Sequence, residues 1–198
     1  MYLQEEKTHT ITIEKSRFIC YMKHIKSEDE FKEYLSQIRK KHYDSSHVCS
    51  ALICHNIQRS SDDGEPSGTA GSPILNVLLK KGLDETCAIV VRYFGGIKLG
   101  AGGLIRAYSN AVSECLKDAL IVEDLHYPKY RISLSYETGN RIENYLRKQC
   151  ILLNTEYGSD ITYTFALDDV KKLETISEYT KGISPELIGE ETVQKVVK

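Results

Sequence analysis

Five glycines fall within nine residues, Gly95, Gly96, Gly100, Gly102 and Gly103, with Arg92, Lys98 and Arg106 before, among and after them. Glycine lets backbone approach a ligand closely, and the free N–H groups of a helix start attract an anion. Neither standard nucleotide loop fits. Gly95 and Gly100 have the gap of a phosphate loop, but Ala101 and Gly102 stand where that loop needs lysine and a hydroxyl. The dinucleotide fingerprint Gly-x-Gly-x-x-Gly, begun at Gly100 and Gly102, fails at Ile105. What remains is an anion-receptive helix start beside three cations. The same glycines could equally serve a tight strand-to-helix turn.

A second loop, Asp62 to Gly71, carries Asp62, Asp63 and Glu65. Carboxylates this close can hold magnesium or act as acid and base, whereas their ordinary role among glycines is to build turns. A functional role gains weight if the loop folds against Arg92 or Arg106, where carboxylate and guanidinium pair bidentately. His47 and Cys49 project from one strand face, with Cys54 and His55 nearby, but their spacing matches no zinc pattern and core positions are expected. Of the 13 tyrosines, Tyr130, Tyr136 and Tyr163 are placed on strands, where they could stack bases or fill a core; the core is expected. No catalytic residue, metal ligand or cofactor is assigned.

The elements that must position these residues follow from periodicity. Ile11 and Ile13, then Phe18, Cys20 and Met22, alternate as two strands about a turn at Lys15-Ser16. Ser27 and Glu30 form a capping-box signature, and Phe31, Tyr34, Leu35 and Ile38 predict a helix over 28–41. A buried strand is expected over 47–55, a loop over 56–68, and a helix capped by Ser72 with Pro73 in its first turn and a stop at Gly82. Strand 86–94, glycine loop 95–103 and a helix from about 102 to 119 follow. The pattern resets at Glu123-Asp124, with a break at Pro128. Beyond it the order is strand (Tyr130–Tyr136), helix 139–149, strand 150–157, strand (Ile161–Leu167), a helix capped by Asp168 and ending at Gly182, and strand 192–197. This β-α-β-β-α-β order is that of a ferredoxin-like domain.

Composition bounds the partners. In 198 residues the net charge is −2, so no global positive field draws nucleic acid or membrane, and an anionic partner needs a local patch. Six scattered cysteines suit a reducing compartment. No apolar run approaches the roughly 20 residues of a membrane span, and the N-terminus lacks a signal peptide's apolar core. A cytoplasmic protein with no membrane contact is expected.

Three pieces, Glu14–Phe18, Asp62–Pro73 and Val90–Tyr108, together resemble the Impact/YigZ family over roughly residues 1–122. The resemblance implies an α+β chain of two domains. Residues 1–124 would form a ribosomal-protein-S5-domain-2-like domain, and 125–198 a ferredoxin-like domain similar to one in elongation factor G. Eukaryotic members regulate translation in the amino-acid-starvation pathway and carry an additional partner-binding domain, which this sequence lacks. The expectation is a non-enzymatic, translation-linked factor binding RNA, the ribosome or a protein of translation control. Its binding residues would be Arg92, Gly95, Gly96, Lys98, Gly100, Gly102, Gly103 and Arg106, with Asp62, Asp63 and Glu65 in the second loop. The alternatives are a phosphate-ligand enzyme of GHMP-kinase-like fold and a protein-interaction module. The oligomeric state is not given by the sequence.

Overall fold

The computed structural model describes residues 1–197. Its mixed α/β architecture holds ten strands and five helices among the described residues. Contacts divide it into two units, Met1–Glu123 with Val196 and Val197, and Asp124–Lys195.

In the first unit the elements are β1 (Tyr2–Leu3), β2 (Lys7–Ile13), β3 (Ser16–His24), α1 (Glu28–Lys41), β4 (His47–Cys54), β5 (Ile57–Ser61), α2 (Gly71–Lys80), β6 (Thr86–Tyr93) and α3 (Gly100–Cys115). An antiparallel sheet runs β2-β3-β6-β4-β5, with β6 at its centre. Both faces of β6 are covered, which is why its sequence is a continuous apolar run. Cys87, Ile89 and Val91 face Phe31, Tyr34 and Ile38 of α1. Ala88 and Val90 face the other way, toward Ile74 and Leu78 of α2 and Leu104, Tyr108 and Val112 of α3.

Helix α1 has the expected bounds. Ser27 Oγ accepts the Glu30 N–H, and Glu30 Oε2 accepts from Lys26, one residue earlier than a standard capping box would have it. Four expectations for the first unit need correction. The polar stretch expected as loop begins as β5, an edge strand with every residue exposed, so no alternation marks it. Ser72 does not cap α2, which starts at Gly71; the acceptor comes from Asp62 in the preceding loop. The glycine loop is shorter than 95–103, because Gly100, Gly102 and Gly103 belong to the first turn of α3. That helix ends at Cys115, not near 119.

The second unit contains most of β7 (Ile121–Leu134), then α4 (Tyr136–Gln149), β8 (Ile151–Tyr157), β9 (Ile161–Ala166), α5 (Lys172–Tyr179) and β10 (Glu186–Val196). Strand β9 pairs antiparallel with β7 and β8, and β10 pairs with β7. Pro128 is no break. It lies within β7 just before the β9 register opens at Lys129, and its carbonyl accepts the Leu167 N–H. Tyr136 is not a strand residue: Ser135 caps α4, and Tyr136 begins it, exposed. Tyr130 and Tyr163 are buried with Ile132, Ile142 and Phe165. Asp168 stands ahead of α5 rather than at its cap position.

Candidate functional site

The turn between β2 and β3 sets the floor of the site. Glu14 and Lys15 both have positive φ, as a two-residue hairpin turn requires. Gly95 packs against that turn so tightly that a Cβ would lie 2.0 Å from the Lys15 carbonyl carbon. Ser16, fully buried, accepts the Gly95 N–H at 3.1 Å, and Ser46 accepts the Phe94 N–H at 3.0 Å. The chain leaving β6 is thereby held before it turns into α3. This is what Glu14–Phe18 contributes to the site.

Arg92 is not the exposed, phosphate-facing cation the sequence suggested. It shares the β6 face of Ala88 and Val90, and its side chain is 6% exposed. Its Nη1 donates to Glu65 Oε1 at 2.6 Å, and its guanidinium lies between the Phe18 and Phe94 rings, 5.4 Å from each centroid. Tyr108 Oη donates to the same Glu65 oxygen at 2.8 Å. Burial first, then neighbouring Cys49 and Glu65, raise the Tyr108 pKa, so the phenol stays protonated and remains a donor. Burial pushes the Cys49 thiol up to about 12; its Sγ is 3.0 Å from the Asp62 carbonyl oxygen and 3.3 Å from Tyr108 Oη. The acidic loop therefore does fold against Arg92, through Glu65.

The other two carboxylates work elsewhere. Asp62 Oδ1 accepts from the Ala70 and Gly71 N–H groups at 3.0 and 2.8 Å, and Oδ2 from Gly68 at 2.8 Å. Desolvation pushes the Asp62 pKa up, but the three backbone donors outweigh it and hold the carboxyl below its usual range. Asp63 takes Arg39 on Oδ1 and the Val48 N–H on Oδ2, each at 2.6 Å. The three acidic side chains thus serve three separate donor sets. No group of three or more metal-ligating side chains occurs among the described residues.

Beside this network is a cleft of about 520 Å³, lined by Ser46, His47, Glu65 and Pro66 together with Arg92, Phe94, Lys98, Leu99, Gly100, Ala101 and Leu104. Its size and mainly apolar wall with few polar groups are those of small-molecule sites, roughly 300–1,000 Å³. The start of α3 forms one wall. Leu99 at the cap position supplies no side-chain acceptor, and the first turn has no acid, so the positive end of the helix is uncompensated. Lys98 is exposed there. It also borders a second depression with Gly103 and Arg106. Exposed Arg106 lies back along the helix, its Nη1 3.7 Å from where a Cβ on Gly102 would stand.

Of the residues singled out from sequence, Arg92, Lys98, Gly100 and Glu65 meet at the cleft. Gly103 and Arg106 adjoin the neighbouring depression, Gly95 is a packing glycine, and Gly96 has positive φ in the connecting loop. Asp62 and Asp63 brace the loop. His47, Phe94, Tyr108 and Ser16 were missed. His47 was expected in the core, but its side chain is 25% exposed at the cleft. Its Nδ1 lies 2.8 Å from the Asp63 carbonyl oxygen, which can only accept, so Nδ1 carries a proton, and its Nε2 stands 3.9 Å from Glu65 Oε2. The available signal was its place at the first residue of a strand, where a core face reaches the surface.

Comparison with known proteins gives a consistent picture. The Impact N-terminal domain model matches residues 14–116. A Bacillus subtilis (strain 168) protein, IMPACT family member YvyE, is 43% identical over 96% of this chain and 91% of its own length. IMPACT family member YigZ of Escherichia coli (strain K12) is 34% identical over 86% of this chain and 88% of its own length. A solved crystal structure of a hypothetical protein superposes with a TM-score of 0.61 at 30% identity, covering 96% of both chains.

Proposed function

The chain belongs to the IMPACT family, and on that premise we propose that it is a non-enzymatic, cytoplasmic, translation-linked factor that contacts RNA or the ribosome at the start of α3. The observation that carries this is the pairing of an uncapped helix N-terminus with two exposed cations, Lys98 and Arg106, neither ion-paired among the described residues. Phosphate is the anion such a site receives most readily. Phe94, 50% exposed next to Lys98, adds a face on which a base can stack. With a net charge of −2 the contact is local and of modest affinity. No helix among the described residues is long and apolar enough to cross a membrane.

We read the second unit as ferredoxin-like; the strand order β10-β7-β9-β8 and two connecting helices support that reading. The first unit we read as S5-domain-2-like, on the family resemblance. Taken as domains, the two units divide close to residue 124. Both folds are frequent in translation factors, an analogy that favours the translation-linked reading over the phosphate-ligand enzyme.

The test is ribosome co-sedimentation and RNA binding at two salt concentrations, with the Lys98→Ala/Arg106→Ala double variant. Each lost phosphate contact reduces the salt slope by about 0.7 on a single strand. Unchanged binding and slope in a folded double variant would overturn the proposal. Arg92→Ala is no substitute, since it removes a buried ion pair.

A further inference from the structure

A groove of about 470 Å³ runs between α2 and α3 and shares no lining residue with the cleft. Its lining falls into rows of side chains four residues apart. On α2 these are Ser72, Asn76 and Lys80, and next to them Pro73, Val77 and Lys81 just past the helix end. On α3 the row is Ile105, Ser109 and Ser113. Rows of this spacing are the ridges between which another helix packs. Three members of one row span about 12 Å, a little over two helical turns.

The chemistry of the groove is one-sided. Its lining includes two lysines and no acid. Lys80 and Lys81 end the two α2 rows; both are exposed, and neither is ion-paired among the described residues. The apolar surface comes from Val77, partly buried against the core, and from Ile105, 42% exposed. An occupant must cover these two side chains and bring carboxylates to the lysines. A nucleic-acid backbone matches poorly, because it needs cations along its path, and here they are confined to the end of the α2 rows. An amphipathic helix matches on both counts: its apolar side chains recur at the spacing of the rows, and acids can flank them.

We propose that the α2–α3 groove docks an acidic amphipathic helix of a partner protein. The helix lays an apolar stripe of about two to three turns on Val77 and Ile105 and sets its carboxylates against Lys80 and Lys81. This contact goes beyond the RNA contact at the α3 start and does not depend on it.

Photocrosslinking in living cells identifies the occupant. Asn76, exposed on the groove, is replaced in the full chain (Asn76→benzoylphenylalanine), and the crosslinked peptides are sequenced by mass spectrometry. The expected product is a protein whose crosslinked segment is acidic, with apolar residues three and four apart. A synthetic peptide of that segment binds the purified chain and gains helical circular dichroism on doing so. Its affinity falls about tenfold or more for Lys80→Glu/Lys81→Glu, where acid then faces acid. Ile105→Gln also weakens it, through the apolar stripe. Ile105, Lys80 and Lys81 are all exposed, and thermal unfolding checks that each variant is folded. Crosslinks to RNA or to a second copy of this chain overturn the proposal, as does a crosslinked segment that is basic or not helical. Absence of any crosslink, or unchanged affinity in the folded Lys80→Glu/Lys81→Glu variant, overturns it equally. The salt-dependent RNA test with Lys98→Ala/Arg106→Ala is read separately, so either reading can fail without the other.

Discussion

Replacing Arg92 by methionine keeps most of its volume between Phe18 and Phe94 but strands the Glu65 carboxylate. The pair is 2.6 Å apart with side chains 6% and 3% exposed, so removing the cation leaves a buried charge with only the Tyr108 hydroxyl on it. Breaking a buried pair from one side costs about 3–5 kcal/mol, a large share of the ~5–15 kcal/mol that stabilises a domain. For a chain of this length that corresponds to a melting temperature lower by roughly 6–20 °C. Glu65→Gln retains an amide oxygen for Arg92 and Tyr108 but leaves the guanidinium unneutralised, at a similar cost. In the Arg92→Met/Glu65→Gln double variant neither charge is stranded, and the loss is smaller than the sum of the singles by about 2 kcal/mol. Urea denaturation of the four proteins at pH 7 closes the cycle. Additivity within about 0.5 kcal/mol, or an Arg92→Met protein as stable as the parent, would refute the claim that Arg92 is a buried structural charge and would return it to the binding surface.

Glycine positions separate sharply. Gly95→Ala, with its Cβ 2.0 Å from the Lys15 backbone, destabilises by about 3 kcal/mol or prevents folding, whereas Gly102→Ala, which meets only Arg106 Nη1 at 3.7 Å within a helix, is neutral or stabilising by up to ~1 kcal/mol; thermal denaturation reads both. Asp62→Ala removes three hydrogen bonds to backbone N–H groups and lowers stability by about 2 kcal/mol at pH 7. Because the folded pKa of Asp62 is depressed, its contribution is present above the unfolded value of about 4 and fades as pH falls through the folded one, so parent and variant converge in acid. His42, between the Tyr21 and Tyr93 hydroxyls at 2.7 and 2.8 Å, has its pKa lowered by burial. Its neutral form therefore contributes stability above about pH 6.5 that is lost as pH falls through the lowered value, and a His42→Phe variant shows a flatter stability curve between pH 7 and 5.

Much of the frame was legible because local and tertiary preferences agree. Helix α1 carries its own cap and its own apolar stripe, and β4 and β6 are apolar runs of strand length. The resemblance also linked the two loops that meet through Glu65 and Arg92. Legibility ended where a distant residue does the work. Asp62 caps α2 from across a loop, so the local Ser72-Pro73 signal misled. Glycines at 100, 102 and 103 look like loop residues, yet the chain is fixed by Ser16, Ser46 and the Lys15 turn in a course that enters a helix at once. Arg92 was misread from its charge; alternation with Val91 puts it on the buried face of Ala88 and Val90. His47 was dismissed because its neighbours are apolar, although the first residue of a buried strand stands at the rim.

The place of β6 has a consequence for how the first unit comes to exist at all. Its neighbours in the sheet are β3 and β4, yet it follows both in the chain. The β2-β3 and β4-β5 hairpins can close early from local contacts, but each then presents an open edge until residues 86–93 have been made and threaded between them. Assembly is therefore governed by one late, non-local insertion, which makes for slow folding and a vulnerable interval on the way. During synthesis that interval lasts until the strand carrying Arg92 emerges, so the residue that closes the buried ion pair also arrives with the strand that completes the sheet.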